Sequence, residues 1–490
     1  MALEFLDPIL RLIPHIKKPE KPPTFRDKLK WTAAIMAVYF TLFSTPAFGV
    51  NLSTLAQPEL QLINIIFAAR TGTLITVGIG PIVLSSIILQ LLQGAGLLSI
   101  DLNDPEQKGR FQTIQKTAAI LIAVIEAVLF TATGYVPIIG PQYFTVVALQ
   151  LAISAIIVVY LDEMMVKYGL TSGINLFIAG GVSYSIIAGT ANILIPEAAQ
   201  AIVAGGASAL PNAILAFAPL FFSIIVMLIS IYAYDIKVEL PLAFSQFRGM
   251  GGRLPIPFLY VSVLPVILAT SLIVSLSVWF GFLAHVGGSF ANVAHFLAYY
   301  QTVTSSTTGA ATSQLVGGLI FLISPNFPLP YSTTYGGTGG YGPYVSVLLT
   351  STSPLYLPNG ALLAVPGWAH IIVYTLVLIV LCIMFGKFWV EMTGQNPKNV
   401  AEQLQDVGWQ IPGFRRDPRI IESVLNKYIP TITVLGSIFV ALLAAMATLT
   451  GAVGTGMGIL LTVGIMYMLY QQIERENMLE GYPELNKLLS

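Results

Sequence analysis

Charge is what this 490-residue chain has least of: Asp, Glu, Lys and Arg make up 9% of it, against roughly a quarter of an ordinary soluble domain. From Leu254 to Gly386 none of the four occurs. Cysteine is nearly absent as well. The single one, Cys382, lies in an apolar run, which excludes an internal disulfide and points to a packed core thiol. His15, His285, His295 and His370 stand apart from one another, so no His, Cys or acidic cluster has metal-ligand spacing. No nucleophile sits beside a plausible base. Composition and spacing therefore offer no catalytic residue, no metal site and no cofactor motif, and an enzyme is not expected.

What the chain has is apolar sequence, 55% of its residues, with a mean hydropathy of +0.79, and the class this implies is a polytopic membrane protein. Runs long enough to span a bilayer lie at about 31–49, 73–93, 117–137, 143–161, 173–195, 211–234, 256–283, 368–390, 428–450 and 454–470. Residues 1–30 hold seven Lys/Arg, too long and charged a lead-in for a cleavable signal, so the first run is expected to stay as an anchor. Leu3, Leu6, Leu10 and Ile13 recur there at helical spacing, as either an interfacial or a solvated helix.

The zero net charge hides a strict alternation. Lys and Arg gather before span 1, between spans 2 and 3, 4 and 5, 6 and 7, 8 and 9, and after span 10, with Arg70 the one exception. By the positive-inside rule these stretches and both termini are cytoplasmic, in a cell membrane. The piece Gln314–Ile323 is too short to span and would invert the later charges; it reads as re-entrant or surface. Ten spans divide into two groups of five, so duplicated halves would have opposite orientations. Gly78, Gly80 and Pro81 in span 2 and Pro265 in span 7 interrupt equivalent runs, which is the sequence pointer to an inverted repeat with its working site between the halves.

The stretch before span 2 is a short amphipathic helix: Pro58 opens it, Glu59 lies in its first turn, and Leu60, Leu62, Ile63, Ile66 and Phe67 are its apolar residues. It is too short to span and folds back into a cavity. The segment from about 284 to 366 is rich in Ser, Thr, Gly, Tyr and Pro, and is either a packed aromatic cap or a mobile loop. The chain divides into a lead segment 1–30, halves 31–195 (with 57–70 folded back) and 196–470 (with loops 235–257 and 391–427 and the 284–366 insertion), and a tail 471–490.

Several motifs are weaker than they look. TVGIG at 76–80 is like a potassium-channel filter, which needs four copies around an axis. GTGMG at 454–458 has no preceding strand and no acidic partner, so close helix packing explains it better than a nucleotide loop. Glu126, the one acidic residue well inside a span, is either a proton relay or a hydrogen-bonded contact between helices. Arg70 is either a helix-end charge or a cation that senses charge at a pore mouth. Asn51 begins the sequon NLS, where glycosylation is possible.

RTGTLITVGIGPIV at 70–83 and LDEMMVKYGLTSGINLFIAGGV at 161–182 resemble signature stretches of the SecY protein-translocation channel family, nearer its archaeal branch. IEAVLF at 125–130, GFRR at 413–416 and GILLTVGIMY at 458–467 extend the likeness. The resemblance implies an all-α fold of ten transmembrane helices, in two inverted five-helix halves closed like a clam-shell around an hourglass pore. It implies a passive channel for secretion and lateral membrane insertion, with no cofactor. Pro58–Phe67 would be the plug. The constricting ring would fall on Ile79, Val83, Ile174, Ile178, Ile267 and Leu461, and the lateral gate's polar cluster on Leu84, Glu126 and Ser275. Here Leu84 and Ser275 replace the family's Thr and Asn, which puts the usual hydrogen-bond network in question. Implied partners are SecE-like and SecG- or Secβ-like small subunits, signal sequences and nascent chains, membrane lipids, and the ribosome at Arg248, Arg253, Arg415 and Arg416. The basic loops favour rRNA phosphates independently of the resemblance. The rival reading is an ion-coupled secondary transporter, which needs polar or charged groups converging at the midplane.

Overall fold

The computed structural model describes residues 14, 16–17, 19, 23–51, 68–94, 105–206, 208–244, 251–261, 263–286, 291–304, 311–330, 338–357, 361–406, 409–410, 418–454 and 456–481. Helix α1 (Phe25–Ser44) starts where Thr24 and Asp27 cap each other: the Thr24 hydroxyl donates to Asp27 Oδ2 at 2.7 Å and accepts from its amide. These bonds hold the exposed Asp27 carboxyl below its ordinary range, with Lys30 helping. Then come α2 (Gly80–Gly94), α3 (Pro105–Ala132), α4 (Phe144–Tyr168) and α5 (Gly173–Gly189). α5 runs on through a π turn at Thr190–Leu194 into α6 (Ile195–Ala204), past the end of the apolar run at 195. Pro196 has no amide to donate, and the wider turn before it accommodates the missing bond.

α7 (Ala209–Ala216) and α8 (Ala218–Asp235) lead to strands β1 (Lys237–Phe244) and β2 (Gly251–Pro257); α9 (Leu264–Val286) follows. The segment after α9 is built from α10 (Ala291–Leu297), β3 (Tyr299–Thr304), β4 (Ala311–Gly317), α11 (Leu319–Ile323), α12 (Tyr341–Thr350), β5 (Thr352–Tyr356) and β6 (Leu362–Pro366). The chain ends in α13 (Gly367–Met392), α14 (Pro397–Asp406), β7 (Trp409–Gln410), α15 (Pro418–Leu449) and α16 (Gly456–Gly481). Among the described residues six helical stretches are long and apolar enough to cross a membrane, and α2 and α9 carry shorter apolar stretches. α1 and α16 lie on the first and last apolar runs.

The membrane-embedded body is all helical, as expected, but three small antiparallel sheets lie outside it. One, ordered β2-β1-β7, joins the two loops that hold the basic residues. The hairpins β3–β4 and β5–β6 belong to the 284–366 insertion. That insertion is a packed cap: Tyr341 and Tyr344 donate their hydroxyls to the carbonyls of Thr450 and Leu449 at the end of α15. Gln314–Ile323 divides between β4 and the five-residue α11, and does not span.

The expected break inside span 2 is corrected. Residues 71–79 form turns, Gly78 takes φ +58°, and the helix begins only at Gly80, so Pro81 stands second in it, where no donor is needed. Pro265 likewise stands second in α9. Both helices start from the same local geometry: Val83 N–H bonds to Ile79 O at 3.1 Å, and Ile267 N–H to Val263 O at 3.3 Å. Val83 and Ile267 each stand two residues after the proline of their helix.

Candidate pore and gate residues

One buried apolar cluster takes in residues from most of the long helices, and five of the six candidate ring residues lie in it. Ile79, Val83, Ile178, Ile267 and Leu461 are buried, and Ile174 is half-buried against them. They come from the turn before α2, from α2 itself, and from α5, α9 and α16, so both halves of the chain contribute. A cavity of about 750 Å³ opens beside this cluster on the side of the basic loops, with Val83, Ile174 and Ile267 in its wall. The rest of its described lining is uncharged. Ser86, Gln90 and Asn175 mix with Phe111, Trp389 and Met392. A surface of this kind lets water and an extended chain enter, and ends on aliphatic groups that give an ion no ligands.

Pro58, Glu59, Leu60, Leu62, Ile63, Ile66 and Phe67 lie outside the described residues; the point where the chain leaves them is well defined. Tyr39 stacks on Phe177 with centroids 4.4 Å apart and planes 10° from parallel, and its hydroxyl donates to the carbonyl of Ala68. Ala68 is fully buried with φ +46°, the one positive value at a non-glycine residue among those described. The turns that follow are tied down by Thr73 and Thr76, whose hydroxyls donate to Arg70 O at 2.7 and 3.3 Å. Arg70 itself is exposed, its guanidinium 5.6 Å from the ring centroid of Tyr184. Sequence reasoning missed Tyr39, which has no distinguishing neighbours in its apolar run.

At the seam, Leu84, Glu126 and Ser275 are all buried, on α2, α3 and α9. The structure does not link the last two: Glu126 Oε2 and Ser275 Oγ both lack a hydrogen-bond partner. Most helical Ser and Thr hydroxyls close on a carbonyl one turn back, as Thr131 does on Ala127 and Thr270 on Val266. Ser271 and Ser275 do not.

Of the arginines in the loops, Arg253 is described: it is exposed and donates to Glu239 Oε2 at 2.6 Å across the β1–β2 hairpin. Arg248, Arg415 and Arg416 lie outside the described residues. A second feature missed by sequence is a cluster at the start of α3 and the end of α4. Glu163 accepts from Lys116 at 2.5 Å and Lys167 at 2.6 Å, and Lys116 also donates to Pro14 O at 2.7 Å. Ile16 N–H completes it on Glu163 at 3.2 Å. GTGMG is the packing motif expected: Gly454 takes φ +83°, and a Cβ there would meet Ile186 at 2.7 Å.

Buried aliphatic residues from both halves of the chain, beside a cavity whose described lining is uncharged, are what a membrane channel needs. The sequence model of the SecY family matches residues 73–470, and the chain belongs to that family. It is 38% identical to the protein translocase subunit SecY of Methanocaldococcus jannaschii, over 99% of each chain. With the subunit of Pyrococcus horikoshii it shares 34%, over 97% of this chain and 96% of the other. A solved structure described as a protein conducting channel superposes with a TM-score of 0.77 at 37% identity, covering 97% of this chain and 98% of that one. Sec61 in a canine ribosome-channel complex gives 0.75 at 36%, with the same coverage.

Proposed function

We propose that this chain is the pore-forming subunit of a general protein translocase, a passive path for unfolded polypeptides across the membrane and sideways into it. The observation that carries this reading is that Ile79, Val83, Ile178, Ile267 and Leu461 share one buried apolar cluster with Ile174 packed on it, and that Val83, Ile174 and Ile267 also wall an uncharged cavity. An aliphatic collar strips water from ions without replacing it, and so seals. Side chains that make no directional bond yield to an extended polypeptide and hold no sequence longer than another.

Pro58–Phe67 acts as the plug, entering through the Ala68 turn that Tyr39 fixes, and Arg70 marks the mouth beside it. Leu84, Glu126 and Ser275 line the lateral gate through which signal sequences and apolar segments reach lipid. Both termini and the loops 235–257 and 391–427 face the cytoplasm, in the cell membrane, and SecE-like and SecG- or Secβ-like subunits complete the complex. Arg248, Arg415 and Arg416 offer the ribosome cationic contacts for rRNA; Arg253, already paired with Glu239, contributes less.

The test is to replace several ring residues with Gly and record planar-bilayer conductance and translocation of a model secretory chain. A standing ion leak with translocation retained is expected. Variants that stay ion-tight even with 58–67 deleted refute the ring.

A further inference from the structure

The packed cap exposes apolar residues beside the side that it turns to the protein core. On α12 the inner face is Tyr341, Tyr344 and Leu348: the tyrosines bond to the end of α15, and Leu348 packs on the central cluster. The flank beside that face presents Val345, 50% exposed, and Leu349, 48% exposed, while Gly342, Ser346 and Thr350 stand opposite it.

This flank is continuous with the wall of α13. Gly367 N–H donates to Ser351 O at 2.7 Å, and Thr352 pairs with Pro366 in the β5–β6 register, so the end of α12 sits against the start of α13. Leu362 and Leu363 of β6, both more than half exposed, run into the same junction. Along α13, Trp368, Ile372, Leu376 and Val380 recur every fourth residue and each is at least 50% exposed. One large apolar side chain per turn along a spanning helix is a lipid-facing stripe, and Trp at its end marks the interface.

We propose that the cap rests on the membrane: the Val345/Leu349 flank of α12, with Leu362 and Leu363, lies at the interface of the leaflet opposite the basic loops and is covered by bilayer lipid as an extension of the α13 stripe. Seating it there desolvates no Asp, Glu, Lys or Arg, since none occurs from Leu254 to Gly386. The two hydroxyls on the outer part of α12 are already satisfied without water: Ser346 donates to Pro343 O and Thr350 to Ser346 O, both at 2.7 Å. That leaves α12 without a charge or a free hydroxyl proton for selecting a protein partner, whereas lipid asks only for apolar area.

The test uses the full chain with its co-purifying subunits, reconstituted in vesicles of neutral lipid. Cys382 is fully buried and does not compete for label, so Leu349→Cys and Leu363→Cys each carry one environment-sensitive fluorophore, with Val380→Cys and Gln301→Cys as lipid and water references. Emission from 349 and 363 is expected to fall severalfold more with a nitroxide placed just below the lipid headgroups than with aqueous iodide. Iodide quenching equal to that at 301 overturns the proposal by placing the flank in water. Shielding from both quenchers overturns it in favour of a protein partner.

Discussion

Tyr39 donates its hydroxyl to Ala68 O and stacks on Phe177, and Tyr39→Phe keeps the stack while removing the donor. A buried carbonyl left without its partner costs about 1–3 kcal/mol. Because Ala68 adjoins the 58–67 segment, the expected readout is a higher resting ion conductance with translocation preserved; unchanged conductance and unchanged thermal unfolding refute the role. Lys116→Met removes one of the two lysines on Glu163 and the donor to Pro14 O. Here too about 1–3 kcal/mol is expected, together with faster limited proteolysis at Lys17 and Lys18 as residues 14–17 loosen. Neither site was legible from sequence. Tyr39 is one aromatic among many, and Lys116, Glu163 and Pro14 are far apart in the chain.

At the scale of elements, α2 and α9 each place a proline second, where its missing amide costs nothing. Pro81→Ala and Pro265→Ala are therefore expected to change stability by less than about 1 kcal/mol. Were these prolines inside continuous helices, replacement would stabilise by about 3 kcal/mol; thermal unfolding in detergent separates the two. The sequence marked both breaks but not their nature, because Gly and Pro signal an interruption whether the helix kinks there or starts there. The cap behaves as a packed element, not a dispensable loop. Tyr344→Phe removes the donor to Leu449 O and is expected to cost about 1 kcal/mol. Cutting out 331–344 is expected to release the end of α15 with it. A shortened chain with unaltered unfolding and translocation contradicts this.

At the scale of the whole molecule, the positive-inside reading puts Lys and Arg almost wholly on one side, and the proposed ribosome contact depends on it. Reversing Arg415 and Arg416 to Glu is expected to weaken co-sedimentation with ribosomes and to reduce the slope of log affinity against log salt by roughly one to two units. Folding should be unaffected, because exposed loop charges contribute little to it; binding unchanged at low and high salt sinks this loop as the contact. Sequence alone determined the class and most of the apolar runs, because bilayer thickness and the cost of burying charge act on each segment separately, and it gave the family through its signature stretches. It placed Ile79, Val83, Ile174, Ile178, Ile267 and Leu461 only through resemblance, since an aliphatic residue in a membrane helix looks the same whether it faces lipid, core or pore. Tertiary structure decided that five of these share one cluster with Ile174 packed on it, that Glu126 and Ser275 are not bonded to each other, that the basic loops join through a sheet, and that the cap is packed. Each of these depends on contacts between residues distant in the chain, which no local pattern of hydropathy or charge records.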